Sequence, residues 1–202
     1  MESGKAFEIE QETPVYRGFF HLSHFRIRHT LFKGGWSDSI HRELFHRSSC
    51  VGVVCYDPWN DKVILLEQFR IGAINATQDP WLIEIVAGAI EEGESAEDVA
   101  HREALEEAGC TITELLHISS FFTSPGGSSE KLTLFCGIIH SENLGGIHGL
   151  EEEGEDIKVS VVDFNEAWEM VQQNRIESAI PIIALQWLAM NRTELIERYL
   201  RQ

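Results

Sequence analysis

The feature that most constrains this chain is a short, predicted helix crowded with carboxylates. Ser95, followed three residues later by Asp98, forms a capping-box pattern that begins a helix, and Gly109 is typical of a helix end. Eight of the residues at 91–107 are Asp or Glu. Because like charges at helical spacing repel, this face must either lie in water or meet cations that the sequence does not supply.

Three of these glutamates share one sector of the helix. At about 100° per residue, Glu107 lies roughly 40° from Glu103, and Glu106 lies roughly 60° away on the other side. Arg102 can reach Glu106, whereas Glu103 and Glu107 repel each other by ~0.2–0.5 kcal/mol. This pattern leaves two interpretations open, a solvated acidic face or a site for divalent cations. With no His or Cys ligand beside the glutamates, the second interpretation favours Mg²⁺ or Mn²⁺.

The rest of the chain predicts an α+β fold with a mixed sheet flanked by helices. Two β-branched runs joined at residues 58–60 predict a hairpin, and alternation at 19–29 predicts another strand. Helices are predicted at 165–173 and from about 178, with Pro181 tolerated in the first turn. Further apolar runs predict strands with the sequences WLIEIVAG (81–88), LLHISSFFT, KLTLFCGIIH and IKVSVVDF.

The predicted elements divide the chain into two parts. Residues 1–48 form a small N-terminal β segment, and residues 49–202 form the main domain. A segment of this size holds too little apolar surface for a core of its own. We therefore expect it to pack on the rest of the chain or on a second subunit.

Composition excludes several classes of function. The 33 Asp and Glu residues against 16 Lys and Arg give a net charge of −17, which argues against nucleic-acid binding. The longest apolar run, at 179–190, is too short to span a bilayer, and the first residues lack an apolar signal region. We therefore expect a cytoplasmic protein without membrane contact. The four cysteines form no Cys-x-x-Cys pair, which favours core positions for them.

The acidic helix lies within a longer pattern. Gly88 is followed after five residues by Glu94, and after seven more by REALEEAGC at 102–110. This spacing resembles the Nudix box, Gly-x5-Glu-x7-Arg-Glu-U-x-Glu-Glu-x-Gly-U, in which U is apolar. Ala104 and Cys110 are small for the two apolar positions. The resemblance implies an α/β/α sandwich that hydrolyses a nucleoside diphosphate linked to another group, with two or three Mg²⁺ ions and Mn²⁺ as a possible substitute.

The resemblance also implies roles for residues of the box. Glu103 and Glu107 are the expected metal ligands, together with the backbone carbonyl of Ala87. Glu106 is expected to assist at the metal cluster, and Arg102 is expected to hold the glutamates in place. The acidity of the helix would then be balanced by bound cations.

Segments outside the box narrow the family. Pro125 lies fifteen residues after Cys110, and the segments EQFR (67–70), PWLIEIVAG (80–88) and GIHGLEEEGEDIKV (146–159) are similar to the bacterial ADP-ribose pyrophosphatases. The implied reaction converts ADP-ribose and water to AMP and ribose 5-phosphate. Two alternatives stay open. One is a broader pyrophosphatase of nucleoside-diphosphate sugars such as GDP-mannose, and the other is a sensor that binds ADP-ribose without cleaving it.

A second acidic cluster, EEEGED at 151–156, gains a role from the same resemblance. Hydrolysis of a pyrophosphate requires a base that accepts a proton from the attacking water. Glu153 aligns with that base and Glu155 aligns with a further metal ligand. Consecutive glutamates at 151–153 leave open a shift of the base by one position.

The resemblance finally implies substrate contacts and a homodimer that exchanges N-terminal segments, in which Phe19 and Arg42 reach the partner's substrate. A core position for Phe19, a surface position for Arg70 and a plain turn at Gly126 remain alternatives. The full set of expected substrate-binding residues is Phe19, Arg42, Arg47, Arg70, Ser124, Pro125, Gly126 and Glu130.

Overall fold

The computed structural model describes residues 4–75 and 79–201, except for the side chain of Glu153. The chain divides into an N-terminal unit (residues 1–49 and 121–131) and a main unit (residues 50–120 and 132–202). The helices are α1 (Ala96–Ala108), α2 (Phe164–Gln172) and α3 (Ala179–Leu200). The strands are β1 (Phe7–Arg17), β2 (His21–His29), β3 (Ile40–His46), β4 (Cys50–Asp57), β5 (Lys62–Phe69), β6 (Trp81–Glu84), β7 (Val86–Ala89), β8 (Glu114–Phe122), β9 (Lys131–Ile138), β10 (Gly146–His148) and β11 (Ile157–Asp163).

The N-terminal unit contains an antiparallel sheet in the order β1-β2-β3. The strand expected at 19–29 begins at His21, because residues 18–20 form the bend that connects it to β1. Ile9, Ile27 and Ile40 are paired across the three strands and form an apolar row. Every residue of β1 is exposed, so this row has little cover from the chain itself.

The main unit is built on a mixed sheet whose strand order is β10-β11-β5-β4-β9-β8. Strand β4 runs parallel to β9 and antiparallel to β5, which confirms the hairpin predicted around residues 58–60. The single strand expected at 81–88 is instead two strands. Because β4 and β5 pair only beside their turn, β6 pairs with β5, and the chain then crosses at the buried Ile85 so that β7 pairs with β4.

Helices cover both faces of this sheet. Val51 and Val53 of β4 belong to the same buried cluster as Ala104 of α1. Gly52 lies between them and points the other way, where an added Cβ would stand 2.9 Å from the side chain of Ile180 in α3. The mixed sheet flanked by helices is therefore confirmed. Among the described residues, no helix is long and apolar enough to cross a membrane.

The cysteines of the main unit largely follow the prediction that they fill the core. Cys55, Cys110 and Cys136 are fully buried, and Cys50 is half-buried at the start of β4. The Sγ atoms of Cys55 and Cys110 lie 3.6 Å apart. Burial raises the pKa of the Cys136 thiol to about 12, so this group stays neutral in the core.

Asp57 joins the ends of two central strands through five hydrogen bonds. Its Oδ1 accepts from the backbone N–H groups of Trp59 and Asn60, both at 3.0 Å. Its Oδ2 accepts from Asn60 Nδ2 at 2.9 Å, and from the Ser141 N–H at 2.9 Å and hydroxyl at 2.6 Å. Burial disfavours the charged carboxylate, but the bonds from Asn60 and Ser141 outweigh it and lower the pKa of Asp57.

Replacing Asp57 with Asn is expected to lower the free energy of unfolding by about 2–4 kcal/mol at pH 7, because an amide NH₂ would face N–H and O–H donors in a buried position. Asp163→Asn, at an exposed carboxylate paired with Lys62, is the matched control and should change it by less than about 0.5 kcal/mol. Urea titration measures both.

The effect of Asp57→Asn on the free energy of unfolding depends on pH. Since the folded pKa of Asp57 is depressed, its contribution is present above the unfolded value near 3.9 and is lost as the pH falls through the folded value. The difference between wild type and Asp57→Asn should therefore shrink below about pH 4. A difference that stays constant from pH 7 to pH 3 would contradict this account.

Candidate active site

Helix α1 begins and ends as its sequence predicts. The Ser95 hydroxyl accepts from the Asp98 N–H at 3.1 Å, and the Asp98 carboxylate accepts from the Ser95 N–H, which completes the capping box. Gly109 ends the helix with a φ of 62°, a conformation that favours glycine. Small buried residues bring α1 close to the sheet, and they include both apolar positions of the box: Ala100, Ala104, Ala108 and Cys110.

Arg102 is the hub of the acidic helix. Its guanidinium binds Glu94 through Nε at 3.1 Å and Nη2 at 3.3 Å. Its Nη1 donates to Glu103 at 2.8 Å and to Glu106 at 3.1 Å. The bonds to Glu94, followed by the charge of Glu103 and the bonds to Glu106 and Glu103, raise the pKa of Arg102. One fixed cation therefore serves three carboxylates.

Glu103 lies where strand β7 passes close to α1. A Cβ atom added at Gly88 would stand 1.9 Å from Glu103 Oε1, so no side chain fits at this position without moving the carboxylate. Burial raises the pKa of Glu103, and Arg102 opposes that rise while the charges of Glu106 and Glu155 add to it. Gly88 is thus required by a close approach, which the sequence pattern did not specify.

Glu107 is the most buried carboxylate of the helix, with 3% of its surface exposed. Its Oε2 accepts from the Ala87 N–H at 2.9 Å. Burial is the main cause that raises the pKa of Glu107 to about 8, and the charges of Glu103 and Glu155 add to it. In the described part of the chain, no Lys or Arg forms an ion pair with Glu107.

The loop after β10 brings Glu155 towards these two glutamates. Leu150 and Glu155 close the loop, since the Leu150 N–H donates to Glu155 Oε2 at 3.1 Å and the Glu155 N–H donates to the Leu150 carbonyl at 3.2 Å. The charge of Glu155 acts on both Glu103 and Glu107. The backbone of Glu153 lies in the 3-10 turn of this loop, and its side chain is outside the described set.

The donor set suits a hard cation. It consists of carboxylate oxygens, which Mg²⁺ and Mn²⁺ prefer, and Glu107 lacks a fixed counter-charge at a depth where an unpaired carboxylate is unfavourable. Among residues 4–75 and 79–201, no three His, Cys, Asp or Glu side chains already form a complete set of ligands. Glu103 instead turns to Arg102, with which a cation would compete.

Arg70, expected to bind substrate phosphate, is bound within the main unit to Glu84. Arg70 Nε and Nη2 donate to Glu84 Oε2 at 2.9 and 2.7 Å. Its charge also lowers the pKa of the nearby Glu107, against the larger effect of burial. Sequence reasoning missed Glu84, which follows from the strand register alone: β5 and β6 pair Leu66 with Glu84, so residues 66, 68, 70 and 84 share one face.

Glu130, expected to bind sugar hydroxyls, has partners in the N-terminal unit. Arg47 donates to Glu130 Oε1 through Nε at 3.0 Å and Nη2 at 2.9 Å, and the Thr123 hydroxyl donates to Oε2 at 2.9 Å. The Arg47 guanidinium lies 4.7 Å from the ring centroid of Phe20, a partner that sequence reasoning missed. Two of the expected substrate residues, Arg47 and Glu130, are therefore brought together.

The segment with Ser124, Pro125 and Gly126 forms an exposed turn. The Gly127 N–H donates to the Ser124 carbonyl at 3.2 Å, and the Ser128 N–H donates to the same carbonyl at 2.9 Å. Neither Gly126 nor Gly127 has a positive φ, and a Cβ added at either would meet nothing within 4 Å. The turn alone therefore gives no reason for glycine at these two positions.

The remaining expected contacts lie on the surface of the N-terminal unit. Phe19 is 94% exposed and touches Phe20 edge-on, with ring centroids 4.8 Å apart. The alternative of a core position for Phe19 is therefore wrong for the chain described. Arg42 is exposed on β3, and its Nη1 donates to the His41 carbonyl at 2.7 Å.

Comparison with known proteins places this site in a family. The NUDIX domain family profile matches residues 46–185. The chain is 46% identical over 184 residues to the ADP-ribose pyrophosphatase of Escherichia coli K12, covering 91% of this chain and 88% of that protein. It is 44% identical over 202 residues to the ADP-ribose pyrophosphatase of Haemophilus influenzae, covering 98% and 93%.

Two further similarities are more distant. The GDP-mannose pyrophosphatase of Salmonella typhimurium is 32% identical over 148 residues, covering 73% of this chain and 76% of that protein. The crystal structure of an ADP compounds hydrolase superposes with a TM-score of 0.67 at 19% identity, over 92% of this chain and 95% of that one, and supports the fold alone. On the family match and the identity to these curated relatives, the chain belongs to the Nudix hydrolase family.

Proposed function

We propose that this protein hydrolyses the pyrophosphate bond of ADP-ribose to give AMP and ribose 5-phosphate. The observation that carries the proposal is the 46% identity to a protein named ADP-ribose pyrophosphatase over 91% of the chain. The geometry of α1 supports it, because every carboxylate of the box is present and Glu107 is buried without a fixed counter-charge. A buried carboxylate with no ion pair to a Lys or Arg of the described residues is suited to bind a divalent cation.

The proposed ions are two or three Mg²⁺, for which Mn²⁺ can substitute. Glu103, Glu107 and Glu155 would bind them through carboxylate oxygens, and the Ala87 carbonyl would add a backbone ligand. Bound ions would neutralise charge on the pyrophosphate oxygens and activate a water. Arg102 would orient the cluster, because it holds Glu94, Glu103 and Glu106 at bonding distance.

The proposed base is Glu153. The oxygen of the attacking water forms a bond to one phosphorus, the bond from that phosphorus to the bridging oxygen breaks, and the water proton passes to the Glu153 carboxylate. The bridging oxygen leaves with the other phosphate, so attack on either phosphorus gives the same two products. The loop closed by Leu150 and Glu155 supports this role because it places the 3-10 turn of Glu153 beside a proposed metal ligand.

The proposed substrate contacts lie in both units. Arg70 would bind phosphate in the main unit. In the N-terminal unit, Glu130 and Arg47 would contact the sugar and phosphate region. Phe19 and Arg42 would extend to the substrate of a second subunit. The exposed phenyl ring of Phe19 supports this assignment, because an exposed aromatic ring is a suitable surface for stacking on adenine. Ser124, Pro125 and Gly126 would approach the substrate through their backbone.

We further propose a homodimer in which the N-terminal segments are exchanged. The exposed β1 strand and the apolar row of Ile9, Ile27 and Ile40 support it, because an isolated three-stranded sheet with little covered apolar surface is only marginally stable. A second copy of the chain would supply that cover.

The alternative substrate class is that of other nucleoside-diphosphate sugars. The similarity to a GDP-mannose pyrophosphatase, 32% identical over 73% of this chain, favours testing it. The third alternative, a sensor without catalysis, has no support in the box, where Glu94, Glu103, Glu106 and Glu107 are all present.

ADP-ribose is expected to yield AMP in MgCl₂ and no AMP in EDTA. Its cleavage in MgCl₂ should be faster than that of ADP-glucose or GDP-mannose.

Glu153→Gln should lower kcat by about 10²–10⁴-fold, because the proposed base no longer accepts a proton. Glu107→Gln should abolish most activity through weaker metal binding. Glu97→Gln makes the same change at an exposed glutamate of α1 and should retain it. Chromatography of the products measures each of these rates. Faster cleavage of GDP-mannose than of ADP-ribose would overturn the substrate assignment.

Removal of metal should make the stability of the protein depend on Glu107. The folded pKa is about 8, above the ordinary value near 4.3, so stability in EDTA is full below about pH 4 and is lost as the pH rises towards 8. Glu107→Gln should therefore stabilise the metal-free protein by on the order of 2 kcal/mol at pH 8, and by less at pH 5. Thermal melts measure both, with Glu97→Gln as the flat control. An equal effect at the two pH values would count against the buried charge as the cause.

Sedimentation velocity should detect a species of two chains. Ile9→Glu is expected to dissociate it, because a charge would interrupt the apolar row that pairs Ile9 with Ile27. Gln11→Glu adds the same charge two residues away on β1, at an exposed position, and should leave the dimer intact. A wild-type monomer at micromolar concentration would refute the dimer.

A further inference from the structure

Glu84 and Arg70 form a pair whose two members differ in exposure. The side chain of Glu84, at the end of β6, is 12% exposed, whereas that of Arg70, just after β5, is 41% exposed. Both donated bonds end on the same oxygen, Glu84 Oε2, and Gln68 Nε2 lies 3.5 Å from that oxygen. The Glu84 carboxylate is thus largely buried at the sheet, and the Arg70 guanidinium is the more exposed member of the pair.

Among the residues that the structure describes, only Glu84 bonds to the guanidinium of Arg70, which leaves part of the guanidinium available. An arginine has five N–H donors in a rigid plane. Glu84 takes one from Nε and one from Nη2, so three N–H groups lie on the side that Glu84 does not contact. The charge of Arg70 also acts on Glu107 in the carboxylate cluster. A planar fork with free donors is suited to phosphate oxygens.

We infer that Glu84 is a positioning residue, which fixes the guanidinium of Arg70 so that its free N–H groups face a substrate phosphate. This inference rests on the proposed function. A free arginine side chain loses rotamer entropy when it is immobilised. Glu84 immobilises the Arg70 side chain before the substrate binds, so less rotamer entropy is lost on binding.

The negative charge of Glu84 and its positioning of Arg70 have opposite effects on substrate binding. A carboxylate beside Arg70 weakens the attraction of the guanidinium for an anionic substrate. Positioning therefore predicts that removal of Glu84 raises KM, whereas a purely electrostatic role predicts that it lowers KM. The two effects are separable, because glutamine keeps an oxygen that accepts from Nε and Nη2 and lacks the charge.

Steady-state kinetics in MgCl₂, on whichever of ADP-ribose, ADP-glucose and GDP-mannose the wild type cleaves best, tests the inference. Glu84→Ala is expected to raise KM about tenfold and to change kcat by less than about threefold, because preorganised binding is lost and the reacting groups are untouched. Glu84→Gln should restore KM to within about twofold of wild type. Glu67→Ala, which removes a half-buried glutamate of β5 paired with Lys158 of β11, should leave KM unchanged.

A double-mutant cycle separates positioning from damage to the fold. In an Arg70→Ala background, Glu84→Ala should raise KM no further, since there is no guanidinium left to position. A similar rise in that background, a KM for Glu84→Ala at or below wild type, or equal effects of Ala and Gln at position 84 would each overturn the inference. If the wild type cleaves none of the three substrates, the proposed function fails and the inference fails with it.

Discussion

The structure depends on the imbalance between four glutamates and one arginine in and just before helix α1. Arg102 satisfies Glu94, Glu103 and Glu106, and it leaves Glu107 buried with the Ala87 N–H as its partner. A buried carboxylate without a cation is unfavourable, and burial accordingly raises the pKa of Glu107. The fold therefore keeps an uncompensated carboxyl group at the position where we propose a metal ligand.

Close packing of α1 against the sheet holds the carboxylates of the box in position. Alanines on the core side of α1 let the helix approach the sheet, and Gly88 lets β7 pass beside Glu103 where any side chain would collide. The same approach brings the Ala87 N–H within 2.9 Å of Glu107. Larger residues at these positions would move the carboxylates away from the backbone group that holds them. Small residues in the box are thus a geometric condition for the site.

Much of this could be predicted from local sequence. The capping box of Ser95 and Asp98, the end at Gly109 and the β4–β5 hairpin depend on contacts between residues close in the chain. The split of residues 81–88 at Ile85 could not be predicted, because it follows from the divergence of β4 and β5. The partners of Arg70 and Glu130 were missed for a similar reason. Glu84 contacts Arg70 only once the register of β5 and β6 is fixed, and Arg47 contacts Glu130 only once the segment between β8 and β9 is folded.

Two of the arginines expected to bind substrate, and Arg102 of the box, are already paired with glutamates. Arg70 binds Glu84, Arg47 binds Glu130, and Arg102 binds three carboxylates of the box. Their charges therefore attract an anion less than their number suggests, and the chain as a whole carries a net charge of −17. What the pairs supply is orientation, since each guanidinium is held in a defined plane. Under the proposed function, the attraction for a pyrophosphate must come from divalent cations, so the affinities for substrate and for metal are linked and each strengthens the other.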